Sequence, residues 1–303
     1  MSEVCFQAKG ATDIRLVEQL VEAGRAQAIV GNHELNLLRR EQKHGNHWFY
    51  GIASDPDFGD CVAIAQDEQE PILEFFRSLP IALERDDLRI VHAAWIGSEI
   101  DRCRGIRTPV AVAYKQFDQE FHESAKFRDL KARHDADVAR LGPAMKDKSA
   151  EPAALAIGPY DEYCQMGNPI RVITSGVERI TERPFHASGK WRFVDRIAWW
   201  HEYADDVPVL FGHYWRWWDP AVHATFSKGE PQLFADDPVG PFMTEDHRAF
   251  CVDFSAGARY KQRLLRHELP FQGRLAAMRW PERELVFDGD APESLSLIEV
   301  ELP

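Results

Sequence analysis

The stretch AIVGNHEL, residues 28–35, says most about the fold of this chain. An apolar run stops at Gly31, and an amide, an imidazole and a carboxylate follow in succession at Asn32, His33 and Glu34. Leucines then recur at helical spacing, so the pattern predicts a buried strand, a polar loop and a helix. Ligands of open α/β sheets bind at the carboxyl ends of strands, which makes this loop a candidate site. Gly31 would let the backbone approach a metal or a phosphate closely. A second interpretation is that Asn32 only caps the helix, because asparagine is favoured there.

The composition is that of a folded, water-exposed protein. The chain has 303 residues, 45% of them hydrophobic, with nine tryptophans, which is enough for one large core or two modest domains. The sequence has no apolar run of the length that spans a bilayer. Its first residues have neither the basic nor the apolar region of a signal peptide. We therefore expect a cytoplasmic protein with no membrane partner.

Cysteine spacing and net charge narrow the range of partners. The five cysteines are scattered, odd in number and never spaced as C-x-x-C, which suits reduced thiols better than disulfides or a structural zinc site. The formal net charge of −13 argues against nucleic acid as a partner. A small phosphate ester could still bind, because a metal ion supplies positive charge locally.

Two later apolar runs also end in a histidine. The run LRIVHAAW, residues 88–95, reaches His92, and the run VPVLFGHYWR, residues 207–216, reaches His213 directly after a glycine. Together with Asn32 these histidines would provide one neutral amide and two imidazoles. That set is a plausible partial coordination sphere for a borderline divalent ion.

These three strand ends, in this order, resemble the calcineurin-like metallophosphoesterases. The resemblance is closest to the phosphoprotein phosphatase and diadenosine tetraphosphatase branch, and it rests on G-N-H-E at 31–34, V-H-A at 91–93 and G-H at 212–213. Residues 250–257, 275–280 and 284–287 look like the V-D-x-x segment and closing strands of that branch. The resemblance covers about residues 13–290, except for a helical insertion.

The resemblance implies a site and a reaction. It implies that Asn32, His92 and His213 ligate the second of two metal ions, and that a water activated between the ions hydrolyses a phosphate ester. His33, oriented by a carboxylate, would protonate the leaving oxygen, with Glu34 as a second catalytic candidate. Trp215, Arg216 and Asp253 are candidates for substrate binding. The metal (Mn, Fe, Zn or Ni) stays open, as does the substrate: a Ser/Thr phosphoprotein, a dinucleoside polyphosphate or a small phosphomonoester.

One part of the family pattern is missing. The D-x-H and G-D-x-x-D-R-G motifs, which provide the first metal's ligands, do not precede Asn32, and residues 2–10 read SEVCFQAKG without an aspartate. We therefore expect at most one metal ion and poor activity from the chain as written. Two hypotheses remain: a metal-dependent phosphoesterase, and a truncated or degenerate non-catalytic relative that binds a phosphorylated ligand or partner.

The resemblance also implies an architecture. We expect an α/β (α+β) fold, a four-layer sandwich of two mixed β-sheets flanked by helices, N-terminally incomplete and forming a single domain over residues 1–303. Residues 110–160 are predicted to be a helical and loop insertion, with a loop from 143 to 159. Further strands are predicted at 170–174 and 191–193, and an aromatic helix at 196–203.

Overall fold

A computed structural model describes most of the chain. It covers residues 11–43, 45–55, 59–60, 62–149, 151–153, 155–187, 189–223, 232–237, 240, 243, 247–259, 262 and 271–288. Residues 2–10, where the missing motifs were sought, lie outside the described residues. The described cysteines, Cys103, Cys164 and Cys251, are free thiols, as the sequence predicts.

Helices and short strands alternate along the chain. The helices are α1 (Ala11–Glu22), α2 (Asn32–Leu38), α3 (Gln69–Ser78), α4 (Gly97–Cys103), α5 (Val110–His122), α6 (Ala125–Leu141), α7 (Ile157–Met166) and α8 (Pro169–Ser175). The strands are β1 (Ser54–Asp55), β2 (Gly59–Asp60), β3 (Ala82–Glu84), β4 (Arg89–Val91), β5 (Glu178–Ala187), β6 (Lys190–Arg196), β7 (Val209–Phe211), β8 (Ala249–Cys251), β9 (Ala276–Arg279) and β10 (Glu284–Phe287). The fold is therefore mixed α and β, with several small sheets.

A four-stranded sheet in the order β3-β4-β7-β8 forms the centre. β3 is antiparallel to β4, whereas β4, β7 and β8 run parallel, with Ile90 opposite Leu210 and Leu210 opposite Phe250. Three two-stranded sheets, β1-β2, β5-β6 and β9-β10, surround it.

Both faces of the central sheet are buried. Side chains alternate between the two faces of a strand, and accordingly Val209 and Phe211 pack with α8 residues and Trp199 on one face. Leu210 faces the other way and packs with Phe254 and the β9-β10 hairpin. A third cluster lies between α1, α2, α3 and α5. Helices thus cover one face of the sheet, and a hairpin covers the other.

The strand predicted at 170–174 is wrong, because these residues form α8. Asn168 caps this helix: its Oδ1 accepts hydrogen bonds from Ile170 N at 3.0 Å and Arg171 N at 3.4 Å, and Pro169 stands at the first helical position. An asparagine cap followed by proline is a helix start. The cap and the surrounding packing therefore outweigh the β-branched composition of this segment.

Other predicted elements have mixed outcomes. The segment at 28–30 is extended but is not assigned to a sheet; Val30 is fully buried and its N donates to Pro80 O at 2.9 Å. The predicted loop at 143–159 ends early, since α7 begins at Ile157. The aromatic helix is one short 3-10 turn, Trp199–Glu202. The two insertion helices, α5 and α6, are confirmed, and residues 191–193 lie in β6 as predicted.

In the part of the chain that is described, no helix combines the length and the apolar composition that crossing a membrane requires.

The cap of α8 provides a test of this packing. Asn168 is fully buried, and its Nδ2 also donates to Tyr114 O and Asp118 Oδ1, each at 2.9 Å. Replacing it with alanine removes the cap and leaves a buried carbonyl without this donor. We expect Asn168→Ala to lower the free energy of unfolding by about 2–3 kcal/mol in urea titrations. Asn36→Ala within α2 is the matched control, and an Asn168→Ala loss no larger than the control's would contradict the assignment.

A buried acid on β5 makes a prediction about pH. Burial, followed by the nearby Asp161 carboxylate, raises the pKa of Glu178 above its ordinary 4.5, although Arg196 opposes the rise. As the pH rises from 4.5 towards neutral, the unfolded chain loses this proton first, so folding stability falls across that window. Glu178→Gln should therefore gain stability over the wild type as the pH rises, measured by thermal unfolding at several pH values. The exposed Glu182→Gln should show no such trend; equal pH profiles for both variants would refute the prediction.

Candidate functional site

Three parallel strands deliver polar side chains to one edge of the sheet. His92 directly follows β4, His213 follows β7 after Gly212, and Asp253 lies two residues beyond β8. The ladder continues past the strands, since Gly212 N donates to His92 O and Val252 N donates to Phe211 O. The three residues therefore meet where open sheets bind ligands.

Asn32 reaches this edge from outside the sheet. A hydrogen bond 3.0 Å long joins His92 Nε2 and Asn32 Oδ1, across 60 positions of sequence. Asn32 is the first residue of α2, and both side chains are half-buried. The amide and the imidazole predicted to share an ion thus face each other.

His213 completes the group. Its ring centroid lies 5.2 Å from that of His92, with an angle of 59° between the rings, and it is 6% exposed. The His213 backbone has a φ of +73°, a left-handed conformation that residues other than glycine rarely adopt. The structure therefore brings all three predicted metal ligands, Asn32, His92 and His213, together at one place.

Gly31 makes the close approach of His92 possible. A Cβ placed on Gly31 would lie 2.5 Å from both Cε1 and Nδ1 of His92, and 2.8 Å from Glu34 Oε2. Only a residue without a side chain fits between these groups. The sequence predicts a glycine that allows close contact with a metal or a phosphate, whereas the observed close contact is with the imidazole of His92.

The two catalytic candidates lie in the first turn of α2. Glu34 is buried, and its Oε2 accepts a hydrogen bond from Gly31 N at 2.9 Å, so its carboxylate holds the start of the helix. His33 is half-buried beside Asn32 in sequence. The contact of Glu34 is structural, and the catalytic roles of His33 and Glu34 stay predictions.

Asp253 ties the loop after β7 to the loop after β8. Its Oδ2 accepts from Trp215 N at 3.1 Å, its Oδ1 accepts from Ser255 N at 2.9 Å, and its carbonyl accepts from Arg216 N at 3.1 Å. Ser255 Oγ donates back to Arg216 O at 2.9 Å. These contacts show Asp253 bound to backbone amides, and its predicted role in substrate binding is not tested by them.

These tied loops contain strained backbone. Trp215 has a φ of +55° and Ser255 a φ of +56°, in addition to the left-handed His213. Such conformations cost on the order of 1–3 kcal/mol each. The hydrogen bonds of Asp253 offset part of this cost at the residues that surround His213.

Arg216 points away from solvent. It is 3% exposed, and its guanidinium carbon lies 5.2–5.4 Å from the ring centroids of Phe234, Phe250 and Phe254. Burial lowers the pKa of Arg216. The guanidinium therefore packs among aromatic rings on the sheet, and its role in substrate binding stays a prediction. Trp215 is half-buried next to it.

Sequence reasoning missed the supports beneath the site. Ala93 N and Ala94 N both donate to Ile173 O, so the end of α8 braces the loop after His92. The hydroxyl of Tyr214 accepts from Val177 N at 3.3 Å, and Gly176 leaves the space it occupies. The Asn-Pro start of α8 was the available signal, but the contact itself joins distant segments.

The donor set suits one divalent ion. Imidazole nitrogens and an amide oxygen together fit a borderline metal. Within the described ranges, no group of three or more His, Cys, Asp or Glu side chains could hold a metal ion. Asn32 is of another residue type, so its cluster contributes only two such residues. Glu34 and Asp253, the carboxylates predicted for this site, are engaged by backbone amides, and the residues fit one ion better than a pair.

No family model, no curated protein and no solved structure matches this chain. The chemistry of the site is therefore argued from its own residues.

The fit of Gly31 against His92 gives a direct test of the site's geometry. A methyl group at position 31 must displace the imidazole or the helix start, so Gly31→Ala should lower the free energy of unfolding by about 1–3 kcal/mol. Chemical denaturation measures this change. At Gly97 the space around the added methyl is open, so Gly97→Ala should be neutral or stabilise by roughly 0.4–1 kcal/mol. Equal effects at both positions would contradict the observed packing.

Proposed function

We propose that this protein is a metal-dependent phosphoesterase of the calcineurin-like kind, holding one divalent ion through Asn32, His92 and His213. The observation that supports the proposal is the convergence of these three side chains. They come from three distant segments, yet Asn32 Oδ1 lies 3.0 Å from His92 Nε2 and the two imidazole centroids lie 5.2 Å apart.

The surroundings of the cluster support a binding role for it. Polar groups at the carboxyl ends of parallel strands lie where α/β folds place their ligands. Gly31 gives up its side chain so that His92 can approach, and Asp253 holds the strained loop of His213. A chain that only needed to fill its core has no evident use for this arrangement of half-buried polar residues.

The roles of the protein's own residues follow from their positions. The side chains of Asn32, His92 and His213 would hold the ion and orient the phosphate ester against it. When bound, a divalent ion supplies Lewis-acid chemistry towards phosphoryl oxygens. His33, one residue beyond Asn32, would donate a proton to the leaving oxygen as a general acid. Trp215 and Arg216 would lie on the substrate side, and Asp253 behind them.

The proposed architecture is the four-layer sandwich of that family. The central sheet with helices on one face and the β9-β10 hairpin on the other is compatible with part of such a sandwich. The substrates proposed are a small phosphate ester or a phosphoprotein. A net charge of −13 makes nucleic acid an unfavourable partner.

The alternative is a non-catalytic protein that binds a phosphorylated ligand or partner. It is favoured by the use of the carboxylates: Glu34 and Asp253 both accept hydrogen bonds from backbone amides. Two-metal hydrolysis requires a second ion next to the first, and the described residues provide donors that fit one.

Hydrolysis of two aryl phosphates distinguishes these functions. With manganese added, the wild type is assayed on p-nitrophenyl phosphate and on phenyl phosphate beside His33→Ala, His213→Gln and the control His134→Gln on α6. p-Nitrophenolate is a stable anion that needs little protonation, whereas phenolate needs a proton. We expect His33→Ala to lose about 10²–10⁴-fold in kcat on phenyl phosphate and much less on p-nitrophenyl phosphate.

Calorimetric titration with manganese gives the second readout. We expect His213→Gln to lose both manganese binding and activity, whereas His134→Gln keeps both. Manganese binding without turnover of either ester would favour the non-catalytic alternative. A wild-type chain that binds no manganese, nickel, zinc or ferrous ion would refute the metal site.

A further inference from the structure

We propose that Asp253 is a positioning residue for His213: its carboxylate fixes the left-handed loop that holds the His213 imidazole beside His92. This inference deepens the proposed function and rests on it for its purpose, but its geometry stands independently. The sequence predicts Asp253 as a substrate-binding residue, which requires a carboxylate directed at the ligand.

The hydrogen bonds of the carboxylate carry the argument. One oxygen accepts from Trp215 N at 3.1 Å and the other from Ser255 N at 2.9 Å, and Asp253 is 7% exposed. Both oxygens therefore face backbone amides. A carboxylate that accepts charge-assisted bonds from two loops is a strong tie between them.

The loop needs such a tie because of its backbone. His213 and Trp215 both have left-handed φ values, +73° and +55°, and Ser255 on the facing loop has +56°. Non-glycine residues persist in this region only when the surrounding structure over-determines them. Asp253 contacts the amides of Trp215 and Ser255, two of these three residues.

The tie reaches His213 through a short and rigid path. Gly212 N is bonded to His92 O, and Gly212 has Asp253 Cβ 3.5 Å from where its own Cβ would be. On the other side of His213, the ring of Tyr214 is buried and its hydroxyl is bonded to Val177 N. His213 is thus held between a sheet hydrogen bond, a buried aromatic ring and the amide that Asp253 accepts.

Asp137 provides a matched control. It is also a buried carboxylate that accepts from two consecutive backbone amides, Leu155 N at 2.9 Å and Ala156 N at 2.8 Å, but it lies in α6 of the insertion. Asp253→Asn and Asp137→Asn remove the same chemistry from two places. In each variant one side-chain oxygen becomes an NH₂ group that cannot accept from an amide.

The first measurement is the NMR spectrum of the histidine Hε1 protons in the chain without metal, assigned with His92→Gln and His213→Gln. We expect Asp253→Asn to shift the His213 and His92 signals, whereas Asp137→Asn leaves both unchanged. Ser255→Ala, which removes the bond from Ser255 Oγ to Arg216 O, should shift the same two signals less. It replaces Asp253→Asn if that variant does not fold.

The second measurement is titration with Mn²⁺ alone. Loss of a residue that orients a ligand typically costs about 10- to 100-fold in metal affinity, and we expect Asp253→Asn to lose that much while Asp137→Asn loses none. Unchanged histidine signals in both Asp253→Asn and Ser255→Ala would overturn the positioning role. So would weaker Mn²⁺ binding with unchanged signals, since that is the behaviour of a direct ligand. A wild type that binds no Mn²⁺ or other ion would refute the proposed function, and the signals of the metal-free chain would still decide the role of Asp253.

Discussion

Parallel pairing of β4, β7 and β8 is the constraint on which the candidate site depends. Each of these strands has only three residues, so the ladder itself provides few hydrogen bonds. Its effect is geometric: the carboxyl ends of three strands lie at one edge, and His92, His213 and Asp253 lie just beyond them. A change in direction of any one strand would send its polar residue to the opposite edge of the sheet.

Short strands need support from their surroundings, and here both faces provide it. Val209 and Phe211 pack on the helical side with Trp199 and the residues of α8, and Leu210 packs on the side of the β9-β10 hairpin. Several of the contacts that shape the site are made by backbone groups, such as Gly212 N to His92 O and Ala93 N to Ile173 O. Burial of the backbone requires such pairing, so the same bonds that satisfy the core also fix the loops that carry the imidazoles.

The way in which the site uses its carboxylates separates binding from catalysis. Glu34 holds the start of α2 and Asp253 holds the loops after β7 and β8, in each case by accepting from backbone amides. The groups directed at one another are neutral: an amide and two imidazoles. Neutral donors bind a divalent ion without a large change in the charge of the site, whereas anionic ligands would hold a second ion nearby.

Local patterns in the sequence determined part of this structure. Apolar periodicity is a property of neighbouring residues, and it predicted α5, α6 and the approach of apolar runs to His92 and His213. The same local signals included Asn168-Pro169, a helix start whose prediction was missed because the following residues are β-branched. Only the tertiary structure decided which segments meet. The contact of Asn32 with His92, the space that Gly31 leaves for an imidazole and the tie of Asp253 to Trp215 all join residues far apart in the chain. Such contacts depend on how strands pair and loops pack, and a single sequence carries no local signal for them.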